Sequence, residues 1–364
     1  MHSSSSILTS ITAAVALTLG MPSSSWADDP MPVVATFSVL GDMVKRIGGE
    51  HISLTTLVGA DGDTHVYQPT PQAARVVAEA DVLFINGLGF EGWLERLVEA
   101  APFVGSLVVT TTGIEPIAFE GHEDEHEEGH EEGHEEDHEE EHKEEHKEEH
   151  KEEHKEEHED EHEEEHEEEH EEEHEEGHKE DGEYHAEHGA FDPHAWHSFT
   201  NAIVYANNIA AGLAQADPAN AGSYYRNHQN FVNEIRTLKS EADLLMAALP
   251  TNKRTVVTPH DAFGYFADLY NLRFEAPQGL STESEASAAD VAKLIMLIRK
   301  QEISAVFIES ITDNRLMQQI ANETGAVIGG KLYSDALSNA EEPASTYLDM
   351  MRHNTETLSQ ALGG

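Results

Sequence analysis

Two rhythms of apolar and polar positions alternate along the chain. Val33–Leu40, His51–Val58, Asp81–Asn86 and Ser106–Thr112 are short, β-branched and mostly apolar. Between them Gly41–Gly48, Pro71–Ala80 and Glu91–Ala100 carry apolar residues at helical spacing. Continuous apolar runs of strand length separated by amphipathic helices predict βαβ units and a parallel sheet covered by helices. The same alternation resumes beyond Pro250. Arg254–His260, Leu272–Pro277, Ser304–Ser310 and Ala326–Gly330 read as strands, while Ala262–Tyr270, Ser287–Gln301, Asn314–Gly325 and Ser345–Leu362 read as helices.

The stretch between these halves, Ser198–Leu249, is helical throughout. Tyr224, His228, Phe231, Ile235, Leu238, Ala242, Leu245 and Leu249 step by four and three residues alternately, so they share one mostly apolar helix face. About 30 residues of helix would be about 45 Å long, enough to lie across a whole molecule as a strut. The expected fold is therefore α/β. Two lobes, each a mostly parallel sheet with helices on both faces, are joined by one long rigid helix. The N-terminal lobe spans residues 28–217, the linking helix 218–249 and the C-terminal lobe 250–364. Two lobes make a cleft, a usual place for a ligand.

Charge redraws one part of this picture. The formal net charge is −51, and residues 121–188 hold 17 of the 25 His and 39 of the 72 acidic residues. An acidic surface argues against nucleic acid and anionic membranes and suits cations. Cysteine is absent, which excludes disulfides, thiolate metal sites, a cysteine nucleophile and a lipid anchor on cysteine. At the start, Ile7–Gly20 forms an apolar core, and a small-x-small site ends at Ala27. Residues 1–27 read as a secretory signal peptide, although no Lys or Arg precedes the core. The apolar run is shorter than the ~20 residues of a membrane span. A soluble, unanchored periplasmic monomer is expected.

Candidate chemistry lies in single histidines. His65 in DGDTHVYQPTP and His194 in FDPHAWHS precede helices, and His260 in VVTPHDAFGYF follows a strand. Ligands of open α/β sheets collect in loops beyond the carboxyl ends of strands. Three such loops can bring three imidazoles together, and Asp335 in LYSDALS is the candidate fourth ligand of a tetrahedron. His51, His228 and His353 read as surface or helix-face residues. His197, three residues after His194, reads as an off-site residue at a helix start, with an alternate ligand as the other reading.

Six stretches, THVYQPTP, NGLGFEGW, DPHAWHS, VTPHDAFGYF, FIESITDNR and LYSDALS, occur in the order and spacing of the metal-binding proteins that feed ABC importers. The chain resembles that family (cluster A-I, ZnuA-type) over nearly all of its length outside residues 121–188. The resemblance implies two α/β lobes on a rigid helix. It places metal ligands at His65, His194, His260 and Asp335, the last of which yields to water in some members. It also implies capture of periplasmic Zn2+ in the cleft and delivery to a permease driven by its ATPase, with no enzymatic activity. Manganese-binding relatives typically carry Glu where this chain has His260, and a softer His3Asp set favours zinc. A periplasmic zinc buffer or chaperone, and an adhesin-like metal-binding protein, are the alternatives.

Residues 121–188 interrupt the first lobe. His122, His126, His130, His134, His138, His142, His146, His150, His154, His158, His162, His166, His170, His174 and His178 recur at every fourth position, mostly separated by Glu. HExxH, the zinc-protease motif, arises here from the repeat, without the apolar face that such a site needs. No GxxxxGK[ST] or GxSxG motif is present. On a helix each i, i+4 pair can clamp one ion. Each step of four overshoots a turn by about 40°, so the stripe spirals and gives many small sites instead of one pocket. Without metal the dense Glu should keep the segment disordered. It reads as a low-affinity collector or sensor tethered beside His194. Deleting residues 122–188 is expected to leave one tight metal site and to remove several weak ones, as counted by calorimetric titration.

Overall fold

The structure is a computed structural model, and it describes residues 29–119 and 191–363. The signal-peptide reading of residues 1–27 and the whole His/Glu repeat lie outside the described residues. No helix among the described residues is long and apolar enough to cross a membrane.

The first lobe is built on four parallel strands. They are β1 (Met31–Phe37), β2 (Ile52–Val58), β3 (Val82–Ile85) and β4 (Ser106–Val109), in the spatial order β2-β1-β3-β4. The central strands β1 and β3 are buried nearly end to end, which is why their sequences are continuously apolar instead of alternating. Three helices follow these strands: α1 (Ser38–Gly48), α2 (Pro71–Ala78) and α3 (Leu94–Ala100). The first strand stops at Phe37, short of the expected Leu40. Val39 and Leu40 are apolar because α1 buries them, not because the strand continues. Thr70 caps α2 by accepting from the Ala73 amide at 3.1 Å, with Pro71 in the first turn.

After the undescribed segment comes a single 3-10 turn, Ala195–His197, followed by α4 (Phe199–Ala216) and α5 (Ala221–Ala247). The helical run expected over Ser198–Leu249 is thus broken at Asp217–Asn220. Pro218 disfavours helical geometry in the residue before it. Asp217 then organises the corner by accepting from Asn220 Nδ2 at 2.8 Å and from the Tyr224 hydroxyl at 2.7 Å.

α5 has 27 residues, about 40 Å at 1.5 Å per residue. It buries Tyr224, Phe231, Ile235, Leu238 and Ala242 as the stripe requires, together with Val232 and Met246 beside the stripe. That face packs against α1 and α4 of the first lobe and against two helices of the second, α6 (Gly264–Tyr270) and α9 (Tyr347–Gly363).

The second lobe contains β5 (Thr255–Val257) paired in parallel with β6 (Arg273–Glu275), and β7 (Ala305–Glu309) paired in parallel with β8 (Val327–Leu332). β5 lies beside β7. α7 (Ala288–Gln301) and α8 (Arg315–Thr324) cover one side, with Leu294, Ile298, Met317 and Ile320 closing a small core over Val257 and Val306. The register of β7 and β8 slips by one residue between Val306 and Phe307, and Gly330 at φ 150° takes up the bulge just ahead of Asp335.

Ile235 is fully buried at the middle of α5. Ile235→Ala is expected to lower unfolding stability by about 2–5 kcal/mol, read from the midpoint shift in urea.

A candidate metal centre

His65 lies in the loop between β2 and α2, and that loop is tied down on several sides. The Asp63 carboxylate accepts from the His65 amide at 3.0 Å and from the Thr282 hydroxyl of the second lobe at 2.6 Å. Trp93 Nε1 donates to the Thr64 carbonyl at 2.8 Å. Asp61, in the left-handed region at φ 54°, donates its amide to the Leu337 carbonyl at 2.8 Å, again across the lobes.

His194 opens the 3-10 turn before α4. One oxygen of Asp192 accepts from its amide at 2.9 Å and lies 2.8 Å from its Nδ1. His260 follows β5, and Glu309 at the end of β7 faces it twice. Glu309 Oε2 lies 2.6 Å from His260 Nδ1, and Oε1 accepts from the His260 amide at 3.3 Å. Ser334 donates to Glu309 Oε2 at 2.8 Å. A carboxylate at Nδ1 fixes the ring proton there and turns the lone pair of Nε2 toward the centre.

The three Nε2 atoms converge on Asp335. His65 Nε2 and His260 Nε2 lie 3.1 and 3.3 Å from Asp335 Oδ2, and His194 Nε2 lies 3.5 Å from Oδ1. All four ligand atoms lie within 4.8 Å of one another. With metal–nitrogen bonds of about 2.0–2.1 Å, the edge of a zinc tetrahedron is about 3.3–3.4 Å, close to the three His–Asp335 separations. His194, His260 and Asp335 are fully buried, and His65 is 8% exposed. None of these Nε2 atoms or carboxylate oxygens forms a well-aligned hydrogen bond. Three buried imidazoles and a carboxylate that face one another are a donor set that could hold a divalent metal.

The electrostatics point the same way. Burial alone would push the Asp335 carboxyl up, but the facing imidazoles of His194 and His260 hold it well below the usual carboxylate range. Burial would likewise depress His260, yet Glu309 and Asp335 raise it well above an ordinary histidine.

Phe90 walls the centre, with its ring centroid 5.0 Å from that of His65 and 5.8 Å from that of His194. It is held by Glu91, whose buried carboxylate accepts from the Thr36 hydroxyl at 2.6 Å and the Asn86 amide at 2.7 Å. Burial raises the Glu91 pKa, against the lowering by these bonds. Beside His65 a cavity of about 480 Å3, lined in part by Phe90, Arg96, Phe191 and Glu283, leads outward. Larger cavities of about 610 and 660 Å3 lie at the amino ends of the first-lobe strands and beside α2 and α3, away from these ligands.

The structure therefore brings His65, His194, His260 and Asp335 into one group. His51, His197, His228 and His353 stay outside it. His228 contacts Asn207, and His353 contacts the Lys331 carbonyl. His197 closes the 3-10 turn just before α4 and is fully buried, with its ring 4.7 Å from that of Phe263. Burial, then the neighbouring His194, lowers its pKa to about 3. The fifteen histidines of the repeat fall among the undescribed residues. Asp192 and Glu309 were not singled out from the sequence. Asp192, two residues before His194, was the more legible; Glu309 is 49 residues from His260.

The model of the family described as "ZnuA: Zinc-uptake complex component A periplasmic" matches residues 33–361. The chain belongs to the ZnuA family. Members are periplasmic metal-binding components of ABC importers, substrate-binding transport proteins and not enzymes. Among curated relatives, a metal ABC transporter substrate-binding lipoprotein, ScbA of Streptococcus cristatus, is 26% identical over 336 residues, covering 91% of this chain and 88% of its own. The manganese-binding lipoprotein MntA of Halalkalibacterium halodurans is 25% identical over 332 residues, with the same coverage. Both relatives are named as lipoproteins. The periplasmic zinc-binding protein TroA of Treponema pallidum shares the two-lobe fold, with a TM-score of 0.69 at 23% identity over 92% of this chain and all of its own.

Glu309→Gln keeps an acceptor at His260 Nδ1 but removes the charge. It is expected to weaken metal binding at this centre by about tenfold, the lower end of the range for outer-shell partners, measured by competition with a chelator.

Proposed function

We propose that the chain captures Zn2+ through His65, His194, His260 and Asp335 and delivers it to an ABC permease with its ATPase. The observation that carries this reading is the convergence of three imidazole Nε2 atoms and one carboxylate within 4.8 Å of one another in a buried pocket. Imidazole is a borderline-soft ligand, and three of them suit zinc better than manganese, which favours an oxygen-rich shell. The relatives differ in the metal they are named for, so specificity here rests on this donor set. A closed four-ligand shell leaves no position for a reacting molecule, which agrees with carriage instead of catalysis. The His/Glu repeat serves in this reading as a low-affinity collector or sensor that raises the local metal concentration. The protein would work in the periplasm.

Single His65→Ala, His194→Ala and His260→Ala variants, titrated with Zn2+ and Mn2+ by calorimetry, test this. Each is expected to weaken the tight Zn2+ site by more than the roughly 10–100-fold that loss of an outer-shell partner costs. The unaltered protein is expected to prefer Zn2+. Tight binding unchanged in all three would sink the cleft assignment, and a preference for Mn2+ would overturn the choice of metal.

A further inference from the structure

The two described ends that flank the undescribed segment meet each other. Ala118 and Phe191 form an antiparallel bridge, and the Asp192 amide donates to the Ile117 carbonyl at 2.9 Å. This two-stranded stem rests on the second lobe through one side chain. The Tyr265 hydroxyl, on α6, accepts from the Ile117 amide at 3.2 Å and donates to the Asp192 carbonyl at 2.9 Å. One phenol thus ties both strands of the stem together. The neighbouring Gly264 keeps the approach close, because a Cβ there would run into the Asp192 carboxylate.

The residue held in this way is the one that orients His194. Asp192 carries both bonds to His194, at the amide and at Nδ1. α6 itself begins four residues after His260. Tyr265 therefore connects the loop of one imidazole ligand with the helix that follows another.

We propose that Tyr265 is a positioning residue of the metal centre. It fixes the Asp192 backbone, and Asp192 in turn fixes the ring orientation and tautomer of His194. The hydroxyl touches no ligand atom, so its effect on metal must pass through Asp192. Removing it would free the Asp192 carbonyl and the Ile117 amide, widen the range of Asp192 carboxylate positions and let His194 release metal sooner. Outer-shell partners of metal-bound histidines typically matter by 10–100-fold. A partner one bond further out is expected to matter less, about three- to tenfold. This inference rests on the cleft being a metal site.

The test measures zinc release from the full-length protein into excess chelator, followed by tryptophan fluorescence. Trp196 lies edge-on to His194 with 5.4 Å between ring centroids, Trp93 donates to the Thr64 carbonyl beside His65, and residues 120–190 contain no tryptophan, so a zinc-dependent change in the signal of these two residues follows the cleft. Tyr265→Phe is expected to speed release about three- to tenfold. In an Asp192→Asn background the same substitution is expected to add nothing, since its route is already cut. Gly264→Ala retains the phenol but displaces the Asp192 carboxylate, and it is expected to speed release as well. Melting temperatures of the metal-free variants separate this from general loosening, which would act equally in the Asp192→Asn background. Unchanged release in Tyr265→Phe, or additive effects with Asp192→Asn, would overturn the inference alone. Absence of any zinc-dependent signal in the unaltered protein would overturn the cleft reading and this one with it.

Discussion

Asp335 is the group on which both lobes depend for closure. It is a fully buried carboxylate whose two oxygens face three imidazoles from three separate loops. Burying an isolated charge costs several kcal/mol, and only well-placed partners offset that cost. His65 and His194 come from the first lobe and His260 from the second, so the charge is balanced only when the lobes stand at one separation. α5 sets that separation by packing on α1 and α4 at one end and on α6 and α9 at the other. The cross-lobe bonds Asp63–Thr282 and Asp61–Leu337 then hold the loop of His65 in place.

Around this centre the arrangement is layered by burial. Carboxylates at Nδ1 of His194 and His260 orient two rings from behind, and Phe90 closes the side. His65 has the only ligand surface that reaches solvent, at the cavity that Phe191 also lines. Burial depresses the His260 pKa, but Glu309 and Asp335 raise it well above that of an ordinary histidine.

Much of this could be read from the pattern of residues. The continuously apolar strands and the four-and-three stripe of α5 are local signals, and the family resemblance rested on motifs that the fold gathers into one place. What escaped the reading depends on distant partners. The boundary of β1 was misplaced because Val39 and Leu40 are as apolar in a buried helix turn as in a strand. Glu309 looks like any acid at a strand end until β7 is set beside β5. His197 belongs to the same class: its spacing from His194 says nothing about the aromatic shell around it.

One further consequence follows from where the four ligands lie in the chain. His65 and Asp335 are near opposite ends of the described sequence, so no segment of the unfolded chain can imitate their shared shell. The His/Glu repeat differs in this respect, because each of its histidines has another only four positions away in the chain. An ion stabilises a fold only to the extent that it prefers the folded state. Metal held by the repeat should therefore be thermodynamically silent toward folding, while metal in the cleft acts as a cross-link between chain ends. Any rise in melting temperature on adding metal would then measure the occupancy of the cleft.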